Sequence, residues 1–316
     1  MKIFIAGSSG LVGSSIHSLL KKKLPKANFL TPSSKKLNLI SQKDTDSYIK
    51  RNSPDIIFLA AAKVGGILAN QKNQAKFIYE NLMINANVIH SAYKHKVKKL
   101  IYFGSSCVYP KKNKLPIKEE YLLSGKLEKT NEAYAIAKIA GIKLCQSYRK
   151  EYGCDFRSIM PTNLYGPNDN FDDLNSHVIP GIIQRMHHAK INNSDKVTIW
   201  GTGKPKRDFL HVNDLANASY LIMKASPKLY ESVYEPEFNM INVGSGHEIS
   251  IFRLAQKIKK IVGFKGNLFF DVSKKDGTMR KIVDVKNISK LNWSQQISLD
   301  DGLKNLYTLI EKNYEK

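Results

Sequence analysis

Cysteine is scarce in this chain: 316 residues hold three, Cys107, Cys145 and Cys154. An odd, sparse set without C-x-x-C spacing gives neither a disulfide framework nor a zinc-site pattern, so no metal is expected. No apolar run approaches the roughly 20 residues that cross a bilayer. The first β-prone run starts at residue 2 and ends in a glycine turn, unlike a secretory signal, so no membrane partner and a cytoplasmic location are expected. Acidic residues are few, 27 against 50 Lys and Arg, for a net charge of +23. That excess would suit a nucleic-acid partner. The basic runs at Lys21–Lys23, Lys94–Lys99, Lys111–Lys114 and Lys257–Lys260, however, sit on separate elements without interleaved aromatics. A solvated lysine-rich surface and no nucleic-acid partner are therefore expected. Such a field would still steer an anionic nucleotide toward the protein.

The length and the 42% hydrophobic content suit one large or two intertwined globular domains. Lys2–Ala6 is a short apolar run of the kind that forms a buried parallel strand. Gly7-Ser8-Ser9-Gly10-Leu11-Val12-Gly13 follows, and then helical spacing through Ile16, Leu19 and Leu20. Strand, glycine turn and helix together make a dinucleotide fingerprint, here spaced G-x-x-G-x-x-G. Glycines let the backbone approach a pyrophosphate at the helix N-terminus. Further strand-like runs at Asp55–Ala62, Lys99–Gly104 and Phe156–Met160 alternate with helical ones at Phe77–Lys94 and around Tyr134. The expected fold is α/β, a Rossmann-type doubly wound parallel sheet with a smaller α/β substrate-binding domain. Gly7, Ala60, Ser105 and Pro161 all fall at carboxyl ends of strands, where such sheets bind ligands.

After the second strand the chain reads Leu30-Thr31-Pro32-Ser33-Ser34-Lys35-Lys36. NAD-preferring folds place an acid there for the ribose hydroxyls. Its absence points to NADP, unless the lysines are only a solvated loop.

Tyr134 and Lys138 are four apart and so share a helix face. A cation beside the phenol would lower its pKa and fit it for carbonyl–alcohol proton transfer, with Ser105 holding the reacting oxygen. Carbonyl reduction needs no thiol, so Cys107 suggests a second proton-transfer task, although a cysteine after two serines at a strand end is more commonly just a small buried residue. Beyond Pro161 the pattern loosens into a smaller domain, with one return to the sheet around Phe209–Lys224. The expected division is 1–165 plus 207–243 for the dinucleotide and 166–206 plus 244–316 for the substrate. His211 reads as a hydrogen-bonded core histidine, His187-His188 as surface, and Cys145 and Cys154 as structural.

With these residues assembled, the chain resembles the extended short-chain dehydrogenase/reductase superfamily and, within it, the GDP-L-fucose synthases. The resemblance runs over essentially the whole length. It rests on Ala60–Ile67, Gly104–Pro110, Asn131–Cys145, Met160–Gly166 and Asn175–Pro180. It implies NADPH-dependent conversion of GDP-4-keto-6-deoxy-D-mannose to GDP-L-fucose, by 3,5-epimerisation and then 4-keto reduction, in a homodimer. Cys107 would be the base at C3 and C5, and His177 the acid on the opposite face. Tyr134 with Ser105 would stabilise and protonate O4, and Lys138 would tune Tyr134 and bind the nicotinamide ribose. The cofactor would be held by Gly7 to Gly13 (Ser8, Ser9, Gly10, Leu11 and Val12 between them), by Ser34, Lys35, Lys36, Leu37, Asn38 and Leu39, by Phe103, Gly104, Ser105 and Ser106, and by Lys138, Pro161, Thr162, Asn163, Leu164 and His177. Arg185 and Arg207 would pair with the GDP phosphates, and Trp200, Asp276 and Lys281 would contact the nucleotide sugar. Where bacterial members can carry arginines beside the 2′-phosphate, this chain has Ser9 and Ser34; Lys35 and Lys36 are the cations expected in their place. Two rival functions share these features: a GDP-colitose-type 5-epimerase-4-reductase, and a non-catalytic dinucleotide-binding sensor. A sensor would be expected to have lost Tyr134 or Lys138.

Overall fold

A computed structural model describes residues 1–171, 176–234, 237–274 and 276–314. The first half alternates strand and helix: β1 (Lys2–Ala6), α1 (Leu11–Lys23), β2 (Asn28–Leu30), α2 (Gln42–Asn52), β3 (Ile56–Leu59), α3 (Ile67–Lys72), α4 (Gln74–Lys94), β4 (Lys99–Phe103), α5 (Glu132–Tyr152) and β5 (Phe156–Pro161). There follow β6 (Asn163–Tyr165), α6 (Val178–Ile191), β7 (Lys196–Trp200), β8 (Lys206–His211), α7 (Val212–Lys224), α8 (Pro227–Glu231) and β9 (Met240–Val243). The chain ends with β10 (Glu248–Ser250), α9 (Ile251–Val262), β11 (Asn267–Asp271), β12 (Arg280–Lys281), α10 (Lys286–Ser289) and α11 (Leu299–Tyr314).

Among the described residues six strands form one parallel sheet in the order β2-β1-β3-β4-β5-β9. Side chains alternate across a strand, and both faces here are apolar. Ile3 and Ile5 point into the cluster that α1 and α7 cover with Ile16, Leu20, Leu215 and Ile222. Phe4 and Ala6 point into the opposite one, covered by α2, α4 and α5 through Ile49, Val88, Ile89 and Ile142. The chain leaves β1 for β2 on one side and returns past it to β3 on the other. The diverging connections open a crevice beyond the carboxyl ends of β1 and β3, the place where doubly wound sheets take ligands.

A third core gathers Ile179, Ile182 and Met186 of α6, Ile199 of β7, Leu254 and Ile258 of α9, and Leu303 and Leu306 of α11. The expected return around Phe209 to Lys224 takes a different form. Strand β8 pairs with β6, β10 and β12 in a separate mixed sheet. It is the helix after it, α7, and the later β9 that rejoin the large sheet. The reason lies in β8 itself: Phe209 faces the third core while Leu210 faces the first, so the strand lies between the two. No helix among the described residues is long and apolar enough to cross a membrane.

Candidate functional site

One cavity of about 1370 Å³ runs from the glycine turn after β1 to the segment before β12. Single small-molecule sites occupy about 300–1,000 Å³, so this space suits two ligands side by side. It is lined by Gly7 and Ser9 to Gly13, Ser34, Leu37 to Leu39, Phe103 to Cys107, Tyr134, Lys138, Pro161 to Leu164 and His177, and at its other end by Arg185, Trp200, Arg207, Asp276 and Lys281. Of the residues the sequence nominated, Ser8, Lys35 and Lys36 are not among the lining. The backbone N–H groups of Lys36 and Leu37 both fold back to the Ser33 carbonyl, and Leu37 is buried in the core. Lys35 and Lys36 therefore stand exposed at a turn tip. Asn175 lies outside the described residues.

At the dinucleotide end, Gly7 has φ +86° and its backbone lies against that of Ala61. A Cβ on Gly13 would run into the Gly7 carbonyl. These two glycines thus let the turn, helix α1 and the end of β3 close on one another. Gly10, the N-cap of helix α1, offers no side-chain cap, and the helix's first turn holds no acid. Its first N–H groups and dipole are left for an anion, which fits the pyrophosphate of a dinucleotide. The loop after β3 is held open beside it by Asn81, which accepts from the Lys63 N–H at 2.9 Å and donates to the Lys63 carbonyl at 3.0 Å. Thr162 and Asn163 donate to the Asp208 carbonyl at 3.1 and 2.8 Å, stitching the large sheet to β8 under the cavity floor.

The reactive groups meet in the middle. Ser105 follows β4 and its Oγ accepts from the Cys107 N–H at 3.2 Å, capping a short turn that aims the sulfur into the cavity. Asn131, at the start of α5, donates to Cys107 Sγ at 3.2 Å. Lys281, on β12, donates to the same sulfur at 3.4 Å. Burial alone would push the thiol up. The Lys281 charge, hydrogen bonds from Ser105 and Lys281, and the Arg207 charge outweigh it and leave Cys107 below the ordinary thiol range. His177 faces the same space. The Asp169 carboxylate, 3.1 Å from Nδ1, raises its pKa against partial desolvation, and the negative charge of Cys107 adds to the rise. A thiol pulled down favours the thiolate, a base, and an imidazole pulled up favours the imidazolium, an acid, so the surroundings favour the charged form of each.

Tyr134 departs from expectation. Burial raises its pKa, the Cys107 charge raises it further, and Ser105 opposes them only in part. The neighbouring Lys138 does not reverse this. Its ammonium donates to the Phe103 carbonyl at 2.7 Å and lies 5.8 Å from the Tyr134 ring centre. Lys138 is itself buried, and burial lowers its pKa to about 7. Tyr134 therefore rests as a protonated acid, poised to donate.

At the far end Arg185 sits over the Trp200 ring, 5.5 Å from its centre. Asp276 accepts from Thr202 N–H at 3.0 Å and Thr202 Oγ1 at 2.6 Å, so it clasps the turn after β7 while lining the cavity. Two participants carry no role in the sequence reading. Asn131 could have been found, because it lies three residues before Tyr134 and shares its helix face. Asp169 sits in a turn-rich segment without periodicity and had no such signal. His187, expected at the surface, is buried, with Nδ1 3.0 Å from the Tyr307 hydroxyl. His211 is buried as expected and accepts from the Asn213 N–H at the start of α7.

The model of the NAD dependent epimerase/dehydratase family matches residues 3–244. The chain is 47% identical to GDP-L-fucose synthase of Escherichia coli (strain K12), over 100% of this chain and 98% of that one. It is 38% identical to GDP-L-colitose synthase of Yersinia pseudotuberculosis, over 99% of each. Among solved structures, a GDP-L-fucose synthetase from Naegleria fowleri bound to NADP superposes with a TM-score of 0.87 at 29% identity, covering 100% of this chain and 95% of that one.

Proposed function

The chain belongs to the NAD dependent epimerase/dehydratase family, among its GDP-L-fucose synthases, and we propose that it converts GDP-4-keto-6-deoxy-D-mannose to GDP-L-fucose with NADPH. The observation that carries this reading is one cavity holding a lowered thiol, a raised imidazole and a protonated phenol together.

The chemistry follows from where charge develops. C3 and C5 both flank the C4 ketone, so removing either proton places negative charge on O4 as an enolate. Cys107 takes the proton and His177 returns one from the opposite face, which inverts the centre. Tyr134 and Ser105 hold O4 throughout. Bound NADPH supplies the hydride that C4 receives in the second reaction. Tyr134 then gives its proton to the same oxygen, so one donor serves both halves. Lys138, fixed beneath the phenol, holds the ribose side of the nicotinamide. Arg185 and Arg207 pair with the diphosphate, because guanidinium matches phosphate as a fork. The dinucleotide half is assigned to 1–165 plus 207–243 and the nucleotide-sugar half to 166–206 plus 244–316. The enzyme is proposed to work in the cytoplasm as a homodimer. Helices α4 and α5, packed on each other, leave Tyr79 and Ile136 exposed as a surface for the second copy. Sedimentation as a monomer at micromolar concentration would remove the dimer.

The reading is tested by NADPH oxidation with GDP-4-keto-6-deoxy-D-mannose in deuterated water, followed by product NMR. Deuterium at C3 and C5 of GDP-L-fucose is expected. Deuterium at C5 alone, or no turnover, would move the reading to the colitose-type reaction on a dideoxy sugar or to a different keto sugar.

Asp169 gives a pH prediction. It raises the His177 pKa, so it keeps the acid protonated to higher pH. Exchange that needs imidazolium falls as pH rises through that pKa. In Asp169→Asn the falling limb moves to lower pH, and exchange above neutrality drops severalfold. An unmoved pH–exchange profile in the folded variant would remove Asp169 from the mechanism.

A further inference from the structure

Lys281 was expected to touch the nucleotide sugar, yet its ammonium is aimed at a sulfur 174 residues away in sequence. Its backbone is held from both sides. Lys281 pairs with Arg207 on β8, and next to it Ile117 donates to the Ile282 carbonyl at 2.8 Å while accepting from Asp284 at 2.7 Å. The charges around it are sorted. Neighbouring Arg280 is paired with Glu248 at 2.7 Å, and Lys206 shares that carboxylate at 3.4 Å. Among the described residues no carboxylate lies within ion-pair distance of Lys281, and the group it donates to is Cys107. Two N–H donors, Lys281 and Asn131, thus converge on one sulfur. Sulfur accepts such bonds well only as an anion, since the thiol is a weak acceptor.

We propose that Lys281 is a positioning residue for proton abstraction: its ammonium holds Cys107 as a thiolate, ready to take a proton from carbon. The other charged or titratable groups facing the thiol are Arg207 from β8, Tyr134 from α5 and His177 ahead of α6. Arg207 acts in the same direction through its charge, while its guanidinium donates to the Lys206 carbonyl. Removing the Lys281 charge therefore leaves a half-buried thiol without the cation that donates to it, and a thiol in such surroundings is less ionised and less reactive at neutral pH. The consequence for turnover rests on the reaction proposed above. The ionisation itself is a property of the free protein.

The test is the pH dependence of iodoacetamide alkylation at Cys107, followed by peptide mass spectrometry that separates it from Cys145 and Cys154. In Lys281→Met and Lys281→Gln the midpoint is expected to rise by about one pH unit, with alkylation at neutral pH about tenfold slower. Lys281→Arg keeps the charge and is expected to stay near the parent. Coincident midpoints in the parent and both neutral variants, each with an unchanged melting profile, would overturn the proposal. So would weaker GDP binding with alkylation unmoved, which would make Lys281 a nucleotide contact alone. A shifted midpoint in a protein that exchanges no sugar deuterium would support the role of Lys281 and overturn the assigned substrate.

Discussion

Tyr134→Phe slows hydride transfer by about 10²–10⁴, the range that a positioned acid contributes. The substitution removes one hydroxyl and keeps the ring, so helix α5 and the packing beside Lys138 are retained. What is lost is a donor whose pKa the surroundings hold up, through burial first and the Cys107 charge second. Because that shift is upward, the phenol stays protonated across the neutral range, and the loss is one of an acid rather than of a titrating group. The rate should fall without a new pH dependence near neutrality. Ser105 remains as a donor to O4 but has no comparable proton to give. Enolate formation places charge on the same oxygen, so deuterium exchange at C3 and C5 should fall as well. Nucleotide binding should survive, since Arg185 and Arg207, both in the cavity lining, are untouched by the loss of the Tyr134 hydroxyl. The measurement is single-turnover NADPH oxidation beside calorimetric titration with GDP. Undiminished oxidation would remove Tyr134 from the mechanism.

The parts of this site that are local in sequence were legible in it. The turn from Gly7 to Gly13 is read from strand, glycine spacing and helix, each within a few residues. Tyr134 and Lys138 are read from one helical turn. The electrostatics were not. Spacing predicts that Lys138 lowers the phenol pKa; the fold buries Lys138 and half-buries Tyr134, and burial acts against each charge. Nor was the surrounding of the sulfur legible, because Lys281 and Asn131 reach Cys107 over 174 and 24 residues through sheet pairing and helix placement. Lysines 35 and 36 are a further case: composition places cations near the cofactor's ribose, and the fold sets them exposed on a turn hydrogen-bonded to Ser33, outside the cavity lining. His187 was misplaced because adjacent helix positions diverge, and α6 turns that one toward Tyr307 on α11. The return around Phe209 was read as a return to the large sheet, but the sheet that β8 joins depends on partners from three separate parts of the chain, β6, β10 and β12.

Cys107→Ser should separate the two reactions that Tyr134→Phe slows together. A serine hydroxyl is a far weaker acid than a thiol, and the Lys281 charge that suffices to lower the thiol cannot ionise it near neutrality. The variant loses the base, and exchange at C3 and C5 should drop by about 10²–10⁴. Tyr134, Ser105 and Lys138 are all still present, so hydride transfer to C4 should continue in part. The sign of the electrostatic coupling favours this as well. The charge on Cys107 raises the Tyr134 pKa, so removing it makes the phenol a somewhat stronger acid and does not disable it. With abstraction slowed and reduction still running, the ketone is reduced before both centres invert, and the product should carry uninverted carbon at C3 or C5. Product NMR in deuterated water reads both quantities at once: deuterium content reports abstraction, and total 4-hydroxy product reports reduction. Equal loss of the two in a folded variant would mean that the thiol serves the site as a whole, and the assignment of proton abstraction to Cys107 would fail.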